Sequence, residues 1–485
     1  MINWRIISKI LGQLLLIEVL MLLACTVFAW LRGEADVYAF GISAAITEGA
    51  ALAMIYLGRG TDATMSRRDA YLVVSAVWVV FSIFGALPFL FSGALQQPVD
   101  AFFETMSGFT TTGASLIDDV EALSCALLFW RSLTQWIGGL GIVFFTIAVI
   151  PSMVGGKVRV FAAEATGPMR TTLHPRLSTT GRWIWGIYAT LTAACALAFW
   201  LEGMTGFDAV NYAMTVAATG GFATHNEVTG FYHSAAIDFT TVAFMFSCGV
   251  SFTLLYLVLF KSRWRDLLDN PELRFYVWMV IAATAVIAAV LWHTGAYGVV
   301  EAVRYALYQV VAFITTTGVF NDDVGQWPHV TWAVLALCMF VGGCSGSTAG
   351  GFKCIRVVLL VRIVRNEMRR LIHPTAVLPT RAGNVSLDYS HQVSLLSFLV
   401  AYFGLCFVTY FAMLLTGVDS TNSITIAFSC ASNVGPSLAT GIGPAMSWDV
   451  LPQAVKLLLT LLMLMGRLEI LSVLVLFTRA FWKDR

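Results

Sequence analysis

Four short turns of nearly the same make recur along this chain, and repetition at that spacing constrains the fold before any single residue does. They read TTTGAS at Thr110–Ser115, ATGGF at Ala218–Phe222, TTTGVF at Thr315–Phe320 and SNVGP at Ser432–Pro436. Each holds a glycine at a matching place, Gly113, Gly221, Gly318 and Gly435, roughly a hundred residues apart. The chain reads as four tandem copies of one loop-bearing unit.

Composition says where those copies sit. Of 485 residues, 58% are hydrophobic and 12% charged, against roughly a quarter charged in soluble domains. Crossing about 30 Å of hydrocarbon takes about 20 apolar residues, and ten such runs begin near Ile10, Val37, Tyr71, Ala126, Trp183, Phe239, Phe275, Thr331, Val393 and Val455. The first follows Arg5 and Lys9 but runs on to Trp30 with no clear small-residue cleavage site, so it reads as a span rather than a signal peptide. The nine cysteines show no CxxC pair and read as small buried hydrophobes.

Charge orients the chain. Arg5 and Lys9; Arg59, Arg67 and Arg68; Lys157, Arg159, Arg170, Arg176 and Arg182; Lys261, Arg263, Arg265 and Arg274; the run from Lys353 to Arg381; and Arg479, Lys483 and Arg485 fall on alternate connections. Basic connections mark the cytoplasmic side, so both termini are expected there. Arg32, Arg131, Arg304, Lys456 and Arg467 fall outside this set.

On the opposite side each glycine turn follows a segment too short to cross: Asp100 to Phe109, Asp208 to Ala217, Glu301 to Phe313, and Ser420 to Ala431. Each opens with an acid or hydroxyl suited to a helix N-terminus. These predict re-entrant half-helices whose C-terminal ends, each carrying about half a negative charge, attract a cation. Glycine lets neighbouring carbonyls turn toward one axis, and Thr and Ser add hydroxyls. Irregular backbone at that depth is tolerated only inside protein or along an aqueous path. The bland reading is that the turns merely close helical hairpins, which four matching copies argue against.

These features resemble the Trk/Ktr/HKT superfamily of potassium transporters, specifically its bacterial TrkH-type membrane subunit. The resemblance covers essentially the whole chain and implies an all-α polytopic membrane protein: two leading transmembrane helices (1–66), then four repeats of helix, re-entrant pore helix, filter loop and helix (67–166, 167–268, 269–385 and 386–485) around a pseudo-fourfold pore. The filter would comprise Thr110, Thr111, Thr112 and Gly113; Ala218, Thr219, Gly220 and Gly221; Thr315, Thr316, Thr317 and Gly318; and Ser432, Asn433, Val434 and Gly435. Potassium, the transported substrate, would be held at the last three positions of each. The fourth repeat departs most, with Asn433-Val434 in place of Thr-Thr. Fewer glycines than TVGYG imply modest preference for potassium and rubidium over sodium.

The run Gly342-Gly343-Cys344-Ser345-Gly346-Ser347-Thr348-Ala349-Gly350-Gly351 lies inside the span after the third turn. Five glycines at about 1 kcal/mol each oppose continuous helix, so a mid-membrane break is expected. The resemblance assigns it to gating, through Gly342, Gly343, Gly346, Ser347, Thr348, Gly350 and Gly351. Close helix packing is the competing reading; phosphate binding is disfavoured because no strand precedes the run. Arg467, deep in the last span, reads as a barrier facing the pore below the filter or as an interhelical salt bridge. Glu469, two residues on, lies off its helix face.

Acids after the turns, Asp118, Asp119, Glu121, Glu227, Asp322 and Asp323, suggest a cation-concentrating vestibule, though loop acids are commonly just solvated. Glu104 and Arg304, within pore helices, are expected to brace the loops. The basic stretch Val361 to Arg381 reads as a surface anchor or as a lever on the gate. The resemblance implies a homodimer, one pore per chain, in the bacterial inner membrane. It also implies a cytosolic nucleotide-binding ring, TrkA, docking on that stretch and on the segment from Gly155 to Arg182. No Walker or dinucleotide motif occurs in this chain, so any nucleotide belongs to the partner, and neither an organic cofactor nor nucleic acid is expected. A sodium- or proton-coupled symporter is the alternative; it would more commonly use inverted repeats and intramembrane carboxylates. HExxH and GxSxG are absent, against an enzyme.

Overall fold

The computed structural model describes residues 2–60, 65–154, 177–375, 378, 380–382, 385–386, 389–439, 442–443 and 446–483. These residues form helices in the order expected, with one two-residue antiparallel ladder pairing Arg381–Ala382 with Val385–Ser386. The chain opens on a hairpin, Trp4–Arg32 and Val37–Leu57. The Asn3 side chain accepts from Ile6 N and caps its first helix, and Gly33 ends that helix at φ 70°.

Each repeat then runs outer helix, pore helix, loop, inner helix. The outer helices are Arg67–Gly85, extended by Leu87–Ser92, then Leu177–Leu201, Pro271–His293 and Tyr389–Leu415. The short pore helices are Pro98–Phe109, Gly206–Ala218, Val299–Ile314 and Ser420–Ser432, within a few residues of the segments predicted. Apolar clusters hold them. The first joins the leading hairpin to the first and fourth repeats and to the helix after the glycine run, the second joins the second and third repeats, and a smaller third lies within the second repeat.

The outside of the bundle is apolar where a soluble protein would be charged. Leu20, Leu31, Val400 and Leu415 are exposed, as are Trp30, Trp200 and Trp292 near one end of their helices and Trp4, Trp264 and Trp482 near the other. Indoles at both rims of an apolar band suit the two membrane interfaces. Six helices are long and apolar enough to cross, and two bent pairs raise the number to eight by length and composition.

The remaining expected spans are inner helices, and here the structure departs from ten continuous crossings. All four inner helices are interrupted. Cys125–Val154 carries non-helical Gly141 at φ 73°, ψ 146°. Ala235–Cys248 meets Phe252–Lys261 at 98°, and Gln453–Arg467 meets Ile470–Phe477 at 117°. His329–Val341 is separated from Cys354–Ile372 by the glycine run. Hydropathy averages over a window and registers apolar length, which these segments have, but not direction. Glycine is densest at the third break, and the first also carries it, at Gly138, Gly139 and Gly141.

Two inner helices approach pore helices through glycine. A Cβ at Gly138 would fall within 3.0 Å of Phe109 O, and one at Gly466 equally close to Ala431 O; real Cβ atoms essentially never come so near. Phe109 and Ala431 occupy the same place, one residue before the loop in the first and fourth repeats. Gly138→Val should therefore push the first pore helix away, costing about 3 kcal/mol. A lowered melting temperature and a smaller monodisperse peak of the detergent-solubilised protein would register it.

Candidate functional site

Three of the four pore helices begin on side-chain caps as the sequence suggests, whereas Pro98–Phe109 opens on a proline after Gln97 with no side-chain cap bond, its Asp100 turned to Lys456. Thr205 Oγ1 accepts from Asp208 N at 3.1 Å, the Asp419 carboxylate from Thr421 N at 3.0 Å, and Glu301 from Gly298 N at 3.3 Å. Their C-terminal ends share a single backbone solution. The second loop residue turns left-handed in every copy, with φ 53° at Thr111, 54° at Thr219, 56° at Thr316 and 55° at Asn433. The third residue then donates back into its own helix: Thr112 N to Ser107 O, Gly220 N to Thr215 O and Thr317 N to Ala312 O, each at 2.9 Å, and Val434 N to Ser429 O at 3.0 Å. Residues with a Cβ seldom adopt this conformation, and each instance costs of order 1 kcal/mol. Four instances at equivalent positions mark a geometry the fold enforces.

The fourth residue in each copy is the glycine, at φ 82°, 87°, 71° and 99° for Gly113, Gly221, Gly318 and Gly435. A Cβ on Gly113 would collide with Gly220 O, on Gly221 with Thr317 O, on Gly318 with Val434 O, and on Gly435 with Thr112 O, all inside 3.0 Å. The contacts run first repeat to second, second to third, third to fourth and fourth back to first. The loops close a ring. All four glycines also line one cavity together with Ser115, Asp118, Arg131, His225 and Trp448.

Side chains brace the ring from behind, differently in each copy. Thr110 and Thr112 share a hydroxyl–hydroxyl bond of 2.8 Å, as do Thr315 and Thr317. In the second copy Gln135, from the first inner helix, donates to Gly220 O at 2.7 Å and accepts from Phe222 N at 3.0 Å. In the fourth, Tyr402 bonds Ser432 at 2.6 Å, and Asn433 Nδ2 donates to Thr112 Oγ1 and Met463 O, both at 2.9 Å.

Buried charges tie the outer side together. Glu104 accepts from Arg131 Nε at 3.0 Å and Leu116 N at 2.9 Å, and Arg131 reaches Ala223 O, 3.3 Å away in the second copy. Gln309 holds the same place in the third pore helix as Glu104 in the first and donates to Asn321 at 3.3 Å. Asn321 donates to Asp238 at 2.9 Å, and Arg304 lies 3.4 Å from the same carboxylate. Lys456, buried in the fourth inner helix, pairs with Asp100 at 2.9 Å and Asp449 at 3.0 Å. Glu104 thus braces its loop as expected, whereas, among the described residues, Arg304 hydrogen-bonds only Tyr305 and reaches the Asp238 carboxylate without touching a loop; the sequence reading assigns no bracing role to Arg131, Gln135 or Lys456. Their signal was a polar residue in an apolar run, which marks a buried partner or cavity.

Beneath the ring lies the segment from Gly342 to Lys353. Thr348 Oγ1 donates within reach of Ala217 O and Cys248 O, both at 3.2 Å; Gly350 N donates to Thr316 Oγ1 at 2.6 Å; and Gly351 N donates to Ser432 O at 2.9 Å. Cys344 N donates to Gly249 O and Phe252 N to Gly346 O, each at 2.9 Å, knitting the segment into the break of the second inner helix. Lys353 Nζ donates to Ala349 O within the segment. Close packing is realised here: the small residues let the chain press against the ends of three pore helices.

Arg467 completes that floor. It ends the fourth inner helix and donates to Thr348 O at 2.9 Å and to Gly138 O and Gly139 O, each at 2.7 Å. It therefore links the segment to the first repeat. Glu469 pairs with Arg356; the helix breaks between it and Arg467, so the i, i+2 geometry of a continuous helix does not apply to the two. Of the loop acids, Asp118 lines the cavity and bonds Ser447, whereas Asp322 accepts from Tyr297 at 2.7 Å and Trp327 at 2.9 Å, and Glu121 bonds His225 at 3.1 Å. The basic stretch is helical only to Ile372. Of the segment Gly155 to Arg182, residues 155–176 lie outside the described residues.

Comparison with known proteins converges on one family. The family described as TrkH, cation transport protein, matches residues 40–484. The Trk system potassium uptake protein TrkH of Halomonas elongata is 36% identical over 481 residues, covering 99% of either chain. Its Escherichia coli counterpart is 34% identical over 433 residues, 87% of either chain. The crystal structure of the potassium transporter TrkH from Vibrio parahaemolyticus superposes with a TM-score of 0.90 at 32% identity, covering 99% of this chain and 100% of that one.

The Glu104–Arg131 pair supplies a direct test of the bracing. Removing one partner of a buried pair strands the other, at about 3–5 kcal/mol. Glu104→Gln should lower the melting temperature sharply, and Glu104→Gln with Arg131→Met should recover part of the loss.

Proposed function

The chain belongs to the TrkH family of cation transport proteins, and on that premise we propose that it takes up potassium through a gated, moderately selective pore passing inside the ring of four loops. The ring closure carries this reading. Four carbonyl-bearing turns that touch in cyclic order leave one shared axis, and main-chain oxygens around an axis can replace the hydration shell of an alkali cation. The hydroxyls of Thr110, Thr112, Thr315 and Thr317 are engaged in bracing, so the principal ligands are the carbonyls of Thr111, Thr112 and Gly113; Thr219, Gly220, whose second lone pair accepts from Gln135, and Gly221; Thr316, Thr317 and Gly318; and Asn433, Val434 and Gly435. Pore-helix C-termini add negative potential from below.

The segment Gly342–Gly351 and Arg467 act as the gate. The segment's hydrogen bonds to the pore-helix ends and loops, and the Arg467 guanidinium bonded to Thr348 within it, support this role, because an ion leaving the ring meets amides and a positive charge where it needs oxygens. The potassium-uptake names of the relatives support the substrate. We further propose a homodimer in the bacterial inner membrane with cytoplasmic termini. A TrkA-type nucleotide-binding ring would dock at the basic stretch Val361 to Arg381 and at the segment Gly155 to Arg182, pulling on the helix that leaves the gate.

Rubidium uptake into liposomes holding the purified chain, with sodium as competitor, tests the reading. Gly113→Ser, which drives a side chain at Gly220 O, should reduce the potassium-over-sodium preference severalfold; unchanged selectivity would remove these loops as the filter. Arg467→Ala, or deletion of Ser345–Ser347, should raise uptake in the absence of any partner severalfold, and unchanged uptake by folded protein would remove the gate.

A further inference from the structure

We infer that Glu272 latches the glycine-rich segment in place: a positioning residue that fixes both ends of the gate without entering the ion path. The inference rests on the gating role proposed for that segment. Glu272 is the second residue of the outer helix Pro271–His293, whose start is fixed by Asn270 Oδ1 accepting from Glu272 N at 2.9 Å and Leu273 N at 3.0 Å. Its side chain turns inward and is buried. One carboxylate oxygen accepts from Ser345 N at 2.6 Å and from Ile355 N at 3.2 Å.

Those two amides lie where a latch is needed. Ser345 stands near the start of the irregular segment, and Ile355 lies in the first turn of Cys354–Ile372, the helix that leaves it. First-turn amides have no partner within their own helix, so a carboxylate there is both a hydrogen-bond acceptor and a favourable charge. Between them Gly346–Gly351 consists wholly of Gly, Ser, Thr and Ala, which have no large side chain to anchor in a core, and only at Phe352 does the chain regain one. A charge-assisted bond to an acceptor on another helix is among the stronger ties such a segment can have. The acceptor is also addressable from outside. Glu272 follows the exposed stretch Arg263–Asp269 on the side assigned to the cytoplasm, so displacement of that stretch would draw on the latch through an outer helix.

The test compares full-length native protein, Glu272→Ala, Glu272→Gln and the Ser345–Ser347 deletion in liposomes, reading rubidium uptake together with maleimide labelling of Cys344 and Cys354, located by peptide mass. Both thiols are buried in the latched arrangement. Glu272→Ala should raise uptake severalfold and expose both thiols. Glutamine retains an acceptor oxygen without the charge and should fall between native and alanine. Native uptake and native labelling in Glu272→Ala, with the deletion still leaking, would overturn the latch and leave the gate standing. A deletion that does not leak would overturn the gate; labelling of Glu272→Ala then judges the latch alone, exposed thiols supporting it and protected thiols ending it. Should the alanine variant fail to fold, the glutamine variant decides, raised labelling keeping the latch and native labelling removing it.

Discussion

The cyclic approach of each loop glycine to the carbonyl of the next copy is the constraint on which the rest of the structure depends. Four contacts too tight for any Cβ can close only if all four pore helices end at one level and turn the same way. The shared left-handed residue and the shared amide bond into the parent helix achieve that turn. Outer helices, apolar cores and buried ion pairs then serve a common requirement, holding four helix ends in register. A displaced helix would open one contact and compress the next, so the ring behaves as a single packed object.

Broken inner helices follow from the same requirement. A straight helix of about 30 Å passing beside each loop would enclose the space under the ring without ever entering it. Interrupting it lets backbone groups turn inward, and irregular backbone is tolerated at that depth because protein surrounds it. The third interruption is the longest and reaches the second copy through Thr348, its own loop through Gly350 and the fourth copy through Gly351, while Arg467 reaches the first. The helix ends that attract a cation electrostatically thus have part of their carbonyl capacity taken by protein donors. The Arg467 guanidinium, held by the carbonyls of Thr348, Gly138 and Gly139, sets a positive charge against a departing cation, and this gives physical content to the gate proposed here.

Much of this was legible in the sequence because it is written in local chemistry. Loop glycines, acids and hydroxyls at helix starts, and the glycine run each predict backbone behaviour within a few residues, and the four pore helices appear where those signals put them. The breaks at Gly141, Gly249–Ser251 and Leu468–Glu469 were not legible, since a glycine or a charge inside an apolar run also suits an unbroken helix. Partnerships were the least accessible. Arg131 and Lys456 stood out only as exceptions to a charge bias; their partners Glu104 and Asp100 lie on other elements and required three dimensions to find.

The copies also differ in an instructive way. Nine residues before each glycine stand Glu104, Tyr212, Gln309 and Ile426, three of them polar groups that reach the chain beyond the loop: Glu104 to Leu116, Tyr212 to Val228 and Gln309 to Asn321. The fourth is apolar, and Asn422 accepts from Ile442 N at 3.0 Å instead. The backbone of the loop is nonetheless the same in all four. Side-chain braces are therefore interchangeable means to one main-chain geometry, and the oxygens they present can approach fourfold equivalence even where the sequence, as at Asn433-Val434, does not. Differences among the copies then bear on how firmly each loop is held rather than on which atoms it offers.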